Sequence, residues 1–172
     1  MKFVQPFAES NYALSHGQLR LLQESEIPLI AAALAAMDPW KALNYRAADL
    51  AHYLRSIDPA LWRYTTHSLT GNLAGVICVR YPWLRGPYLE LLGLTPDHQG
   101  LGLGGELMEW FTQQARLCAR NAWVVVSVFN RRAHMFYRRH GFTEVGVIEG
   151  LVKPGYQEIL LRKLVRKEAD DE

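Results

Sequence analysis

Four glycines fall within six positions, Gly100, Gly102, Gly104 and Gly105, inside the stretch HQGLGLGGELMEWF. Glycines packed this closely let a backbone approach a ligand and let successive N–H groups point into one concavity. Ahead of a helix, whose first turn adds partial positive charge, such a concavity suits phosphate. Two templates fit the residues. Gly100, Gly102 and Gly105 spell G-x-G-x-x-G, the dinucleotide fingerprint. Gln99, Gly102 and Gly104 spell Q-x-x-G-x-G, a cradle for a pyrophosphate with no lysine to help. A Walker A loop is excluded, since no Lys-Ser or Lys-Thr follows the glycines.

The dinucleotide template needs its first glycine in the turn that ends a strand, and an acidic residue roughly 20 positions on. Here TPDHQ separates Leu94 from Gly100, and the next apolar strand ends in SVFN with no carboxylate. Three further residues are of types that do proton chemistry or bind. Glu90 is the carboxylate inside an otherwise apolar strand, where a charge needs a partner or a purpose. Asn130 stands where a short helix needs an N-cap. Tyr137 shares a face of that helix with Ala133 and Phe136, which fits core packing and also offers a phenol. Cys78 and Cys118 lie far apart and form no C-x-x-C site. His134 and His140 are six apart, on different helical faces, and the histidines show no metal-ligand spacing. No metal is expected.

These residues need elements to position them. LRLLQ (19–23) reads as a strand and ESEIPLIAAALAAM as a helix with Ser25 as its N-cap. DPW breaks that helix, and a second spans Ala47–Ser56. LWRYTTHSL and LAGVICVRY, joined by TGN, form a hairpin that Pro82 ends. YLELLGL (Tyr88–Leu94) is the next strand and leads through TPDHQ into a helix over Gly104–Asn121, with Leu107, Trp110, Phe111, Ala115 and Cys118 at helical spacing. AWVVVSVF (Ala122–Phe129) is a buried strand. RRAHMFYRRH is a short helix closed by Gly141, and FTEVGVI and YQEILLRKL are the last strands. The order predicts one α/β domain with a mixed sheet, with residues 1–17 and 166–172 loose at the ends.

LLGLTPDHQGLGLGGELM resembles the acetyl-CoA-binding motif of the GNAT-type N-acetyltransferases: a strand, a short loop, Q/R-x-x-G-x-G/A and a helix. VSVFNRRAHMFYRRHGFTEVG is similar to that family's second signature, a strand, Asn, a Tyr seven residues on, then G-F and a strand. The resemblance covers about residues 19–164 and implies a sheet that splits between the fourth and fifth strands of this reading. The arm of acetyl-CoA would lie in the cleft, on the backbone of Leu92, Gly93 and Leu94. Gln99, Gly100, Leu101, Gly102, Leu103, Gly104 and Gly105 would hold the pyrophosphate. Asn130 would add a hydrogen bond to the cofactor arm, and Tyr137 would protonate the departing thiolate. Glu90 stands as candidate base or as the partner of an arginine. The position of a glutamate used by some members is Val125 here, which leaves a water chain as a further option for the base.

What the resemblance implies is transfer of an acetyl group to a primary amine by direct attack, with acetyl-CoA as cosubstrate and no metal. A non-catalytic acyl-CoA-binding or sensing module is the alternative. The acceptor is a small-molecule, peptide or protein amine, with Trp40, Tyr45 and Tyr156 as candidate pocket walls. Arg131, Arg132, Arg138 and Arg139 read as a solvated basic face. A net charge of +2 with scattered basic residues argues against nucleic acid, and no apolar run reaches membrane-span length. A cytoplasmic protein, with a homodimer possible, is the expectation.

Overall fold

The computed structural model describes residues 5–165. Its elements are β1 (Asn11–Leu14), β2 (Gly17–Leu21), α1 (Ile27–Ala35), α2 (Ala47–Arg55), β3 (Leu61–Ser68), β4 (Leu73–Trp83) and β5 (Gly86–Leu94). They continue with α3 (Leu103–Cys118), β6 (Asn121–Ser127), α4 (Arg131–Arg139), β7 (Thr143–Glu149) and β8 (Gln157–Leu164). The strands hydrogen-bond in the order β1-β2-β3-β4-β5-β6-β8-β7. The β5–β6 pair is parallel, while β1–β2, β2–β3, β6–β8 and β7–β8 are antiparallel. The mixed α/β sheet expected from the element order is therefore present.

Four local features differ from the sequence reading. Asn11–Leu14 forms a strand on β2, with Asn11 opposite Arg20, where a loose segment was expected. Ser25 is not a cap: a 3-10 turn over Glu24–Glu26 precedes α1, fastened by the N–H of Gln23 donating to Glu26 Oε2 at 3.0 Å. Pro82 does not end β4, which runs on to Trp83; Pro82 is exposed near the strand's end, where a missing donor is tolerated. Helix α3 stops at Cys118 rather than Asn121, because Asn121 already pairs with Leu164 of β8. The charged stretch 166–172 lies outside the described residues.

Two compact units are distinguished. One comprises Glu9–Val79 and Leu91–Glu106. Its core joins Ile27, Ile30 and Leu34 of α1, a helical stripe, to Leu50 and Leu54 of α2 and to Leu61, Val76, Cys78 and Leu91 of the strands. Each such side chain removed from water contributes about 1.5–3 kcal/mol before entropy is subtracted. The other unit comprises Arg80–Glu90, the described parts of Met1–Ala8 and the described parts of Leu107–Glu172. It buries Leu107, Phe111 and Ala115 of α3 with Val124, Val126, Phe142 and Leu161. Phe7 is pinned there: its N–H donates to Gln114 Oε1 at 2.7 Å and its ring meets Trp110 edge-on at 5.6 Å. Within this unit β6 pairs with β8 from Asn121 to Ser127. Its parallel register with β5 covers Tyr88↔Trp123 and Leu89↔Val124.

Candidate functional site

The glycine loop lies wholly within the unit that holds α1 and α2. Gly100 and Gly102 have φ of +73° and +90°, a region that a side chain enters at a cost of about 1–2 kcal/mol. A Cβ on Gly100 would meet nothing within 4 Å, and one on Gly102 would meet only the His16 ring, at 3.8–3.9 Å. Packing does not demand these glycines; their backbone conformation does. The first loop-to-helix bond is Glu106 N–H to Gly102 O at 3.2 Å. Among the described residues no acceptor is recorded for the N–H groups of Gly100 to Gly105, the orphan donors of a helix start.

The loop is held in place from both sides. Gln99 Nε2 donates to Leu94 O at 2.9 Å, closing the segment back onto the end of β5. Glu106 accepts from the N–H groups of Ser15 and His16 at 2.8 and 3.1 Å, tying the β1–β2 turn to the first turn of α3. Burial pushes the Glu106 carboxyl up, but these bonds outweigh it and hold the group below the usual range. Gln99 Nε2 thus ties the loop to β5, and what the glycines offer a ligand is backbone.

Leu92, Gly93 and Leu94 end β5. A Cβ on Gly93 would come within 2.5 Å of Leu34 and 3.2 Å of Trp40, so this glycine answers to packing under α1. Trp40 and Tyr45, expected as pocket walls, pack against the α1–α2 core. Tyr156 instead meets Phe129 edge-on at 5.9 Å, in the other unit.

That other unit carries the remaining candidates. Asn130 caps α4 as expected: its Oδ1 accepts from Ala133 N–H at 3.2 Å. The cap sets the helix that places Tyr137, 8 % exposed, against Phe136 and Phe142. Burial, with Tyr88 adding to it, pushes the Tyr137 phenol far up, so it keeps its proton at neutral pH. Tyr88 is raised likewise, by burial and then by Glu90 and Glu158, with Arg80 opposing. Glu90 is not alone: Arg80 donates to it from Nε at 3.0 Å and from Nη2 at 3.2 Å. Arg131, Arg132, Arg138 and Arg139 are exposed, and Val125 is half-buried.

One residue was missed. Glu158, at the start of β8, is 2 % exposed, and its Oε1 accepts from Ser127 Oγ at 3.0 Å. Burial pushes its carboxyl up and the Ser127 bond offsets only part of that. Strand alternation in YQEILLRKL sends Ile159 and Leu161 inward and Glu158 out; only the register with Ser127 reveals otherwise.

No helix among the described residues is long and apolar enough to cross a membrane. Compared with curated proteins, the chain has no match. Among solved structures it is similar to a nourseothricin acetyltransferase, at 32% identity over 63% of this chain and 67% of that one, with a TM-score of 0.57. It also resembles the spermidine N-acetyltransferase from Vibrio cholerae solved in complex with CoA and spermine. There the identity is 18%, the TM-score 0.68, and the match covers 88% of this chain and 97% of that one. Residues 28–142, which include the glycine loop, Asn130 and Tyr137, match the sequence model of the Acetyltransferase (GNAT) family. The chain belongs to this family of acetyltransferases.

Proposed function

We propose that this acetyltransferase moves the acetyl group of acetyl-CoA directly onto a primary amine of a small molecule, with donor and acceptor bound together. The observation that carries the reading is the loop Gly100–Gly105, with its two left-handed glycines, open surroundings and uncommitted N–H groups at the start of α3. This donor set fits a pyrophosphate, which takes backbone hydrogen bonds and helix-terminal charge without a cation of its own. Leu92, Gly93 and Leu94 supply backbone groups for the pantetheine arm, one N–H polarising the thioester carbonyl. Asn130 caps α4 and adds a hydrogen bond to that arm.

Tyr137 holds the proton that the departing thiolate takes. Burial holds the phenol in its protonated form, and the role asked of it is that of a positioned proton donor to sulfur. An acyl-enzyme has no support in the cysteines: Cys78 is fully buried, and the Cys118 thiol donates to carbonyls of its own helix, Ala115 O at 3.5 Å. The small-amine acceptor draws on the relatives, whose descriptions name nourseothricin and spermidine.

A panel of primary amines, followed by release of free CoA thiol, tests the reading. Turnover with at least one small amine, lost by roughly 10²-fold in Tyr137→Phe with CoA binding retained, supports it. CoA binding by folded protein with no turnover on any amine favours a non-catalytic binding module.

A further inference from the structure

Glu158 is a buried carboxyl with no ion-pair partner among the described residues. It is the second residue of β8, in register with Ser127 of β6 and with Ile148 of β7. It is 2 % exposed and Ser127 is 4 % exposed, and the serine hydroxyl at 3.0 Å is its hydrogen-bond partner. Among the described residues no lysine, arginine or histidine is ion-paired with it. Arg80 is committed to Glu90. Arg162, four residues along β8, lies over the Trp123 ring at 5.9 Å. A carboxylate taken from water without a cation costs several kcal/mol, and one hydroxyl satisfies one of about four acceptor positions.

The neighbourhood is that of the proposed acid. Tyr88 of β5 lies in the field of Glu158 and of Glu90, and Tyr137 of α4 lies in the field of Tyr88. Glu90 answers to Arg80, so of the two carboxylates acting on Tyr88, Glu158 is the one that no arginine among the described residues holds.

We infer that Glu158 is the proton acceptor for the incoming amine and that Ser127 orients its carboxylate. The inference rests on the acetyl-transfer reading. The acceptor arrives as R–NH3⁺ and gives one proton to the Glu158 carboxylate, which becomes the acid. The freed nitrogen lone pair forms the N–C bond at the thioester carbonyl, and the C–S bond breaks as the intermediate collapses. Sulfur takes the Tyr137 proton; the second nitrogen proton, lost as the amide forms, restores that phenol. Glu158 returns its proton to solvent. The balance is R–NH3⁺ plus thioester to amide, thiol and one H⁺.

Glu158→Gln tests it, since the amide keeps the shape and still accepts from Ser127. Two acceptors are compared at saturating acetyl-CoA: an alkylamine, protonated at neutral pH, and an alkoxyamine, largely unprotonated there. The expected result is a kcat loss of about 10²–10⁴-fold with the alkylamine. The loss shrinks with the alkoxyamine and at high pH, and acetyl-CoA binding is unchanged. An equal loss with both amines, or none with either, overturns the role of Glu158 while wild-type turnover leaves the acetyl-transfer reading standing. No wild-type turnover with any amine overturns both. Should the Gln variant not fold, Ser127→Ala carries the test. Losing a bond to the ionised form moves the acidic limb of kcat/KM to higher pH, and an unmoved limb overturns the inference.

Discussion

Glu90 of β5 receives both arms of the Arg80 guanidinium, Nε to Oε2 at 3.0 Å and Nη2 to Oε1 at 3.2 Å. The two side chains are 26% and 23% exposed, so the pair is partly screened. Glu90→Gln is expected to cost about 1–2 kcal/mol in urea unfolding, the range of hydrogen bonds to a charged group at a partly exposed site. Turnover is expected to stay within a few-fold of wild type. A loss on the order of 10²-fold in a folded Glu90→Gln protein would move the base to this residue.

Gly102, proposed to face the pyrophosphate, and Gly146 make a test pair. Gly102 sits at φ +90°, whereas Gly146 in β7 has no left-handed φ, and a Cβ there meets nothing within 4 Å. Gly102→Ala is expected to lose about 1–2 kcal/mol of stability. CoA affinity, measured by isothermal titration, falls at least roughly tenfold, since about 1.4 kcal/mol is a factor of ten. Gly146→Ala leaves both unchanged. Equal CoA affinity in the two variants would take the pyrophosphate away from the loop.

Asn130 caps α4, and substitutions can divide that role from the proposed bond to the cofactor arm. Asn130→Ala removes the cap on Ala133 N–H and is expected to lower stability by about 1 kcal/mol. Asn130→Ser restores a cap, so thermal unfolding should return close to wild type. If Asn130 also bonds the cofactor arm, KM for acetyl-CoA stays raised in the serine variant; a full return of KM confines it to capping.

Buried titratable groups set the pH dependence of stability. Burial raises the Tyr64, Tyr88 and Tyr137 phenols, so the folded state holds these protons more tightly than the unfolded chain. Their contribution is complete below the unfolded value of about 10 and is lost as pH rises above it, so alkaline unfolding begins there. Tyr137→Phe should flatten that limb. Glu158 is also raised, so stability is gained as pH falls through its folded value. Glu158→Gln should melt higher than wild type near pH 8, with a gap that closes toward about pH 4 as the wild-type carboxyl protonates. A gap that widens on acidification contradicts a buried, uncompensated carboxylate.

The parts of this molecule legible in its sequence are those written in short-range patterns. The apolar stripe of α3, the Asn130 cap and the αL glycine Gly141, at φ +87°, stand where spacing put them. The errors lie at element ends, where competing local bonds decide. Gln23 with Glu26 displaced Ser25 as the start of the first helical turn, and pairing of Asn121 with Leu164 shortened α3. The four-residue strand Asn11–Leu14 is too short to announce a period. In the site, Glu90 was visible as a charge in an apolar strand, but its partner Arg80 depends on how β4 and β5 pair. Glu158 was hidden because burial there comes from the register of β8 on β6, a long-range relation that alternation cannot supply.

The central claim is transfer of acetyl from acetyl-CoA to a small primary amine. Its most direct test is mass spectrometry of an amine panel after incubation with the protein and acetyl-CoA carrying an isotopically labelled acetyl group. The account predicts a labelled N-acetyl product from at least one small amine, equal in amount to the thiol released and strongly reduced in Tyr137→Phe. Folded protein that binds acetyl-CoA and labels none of the amines would contradict it.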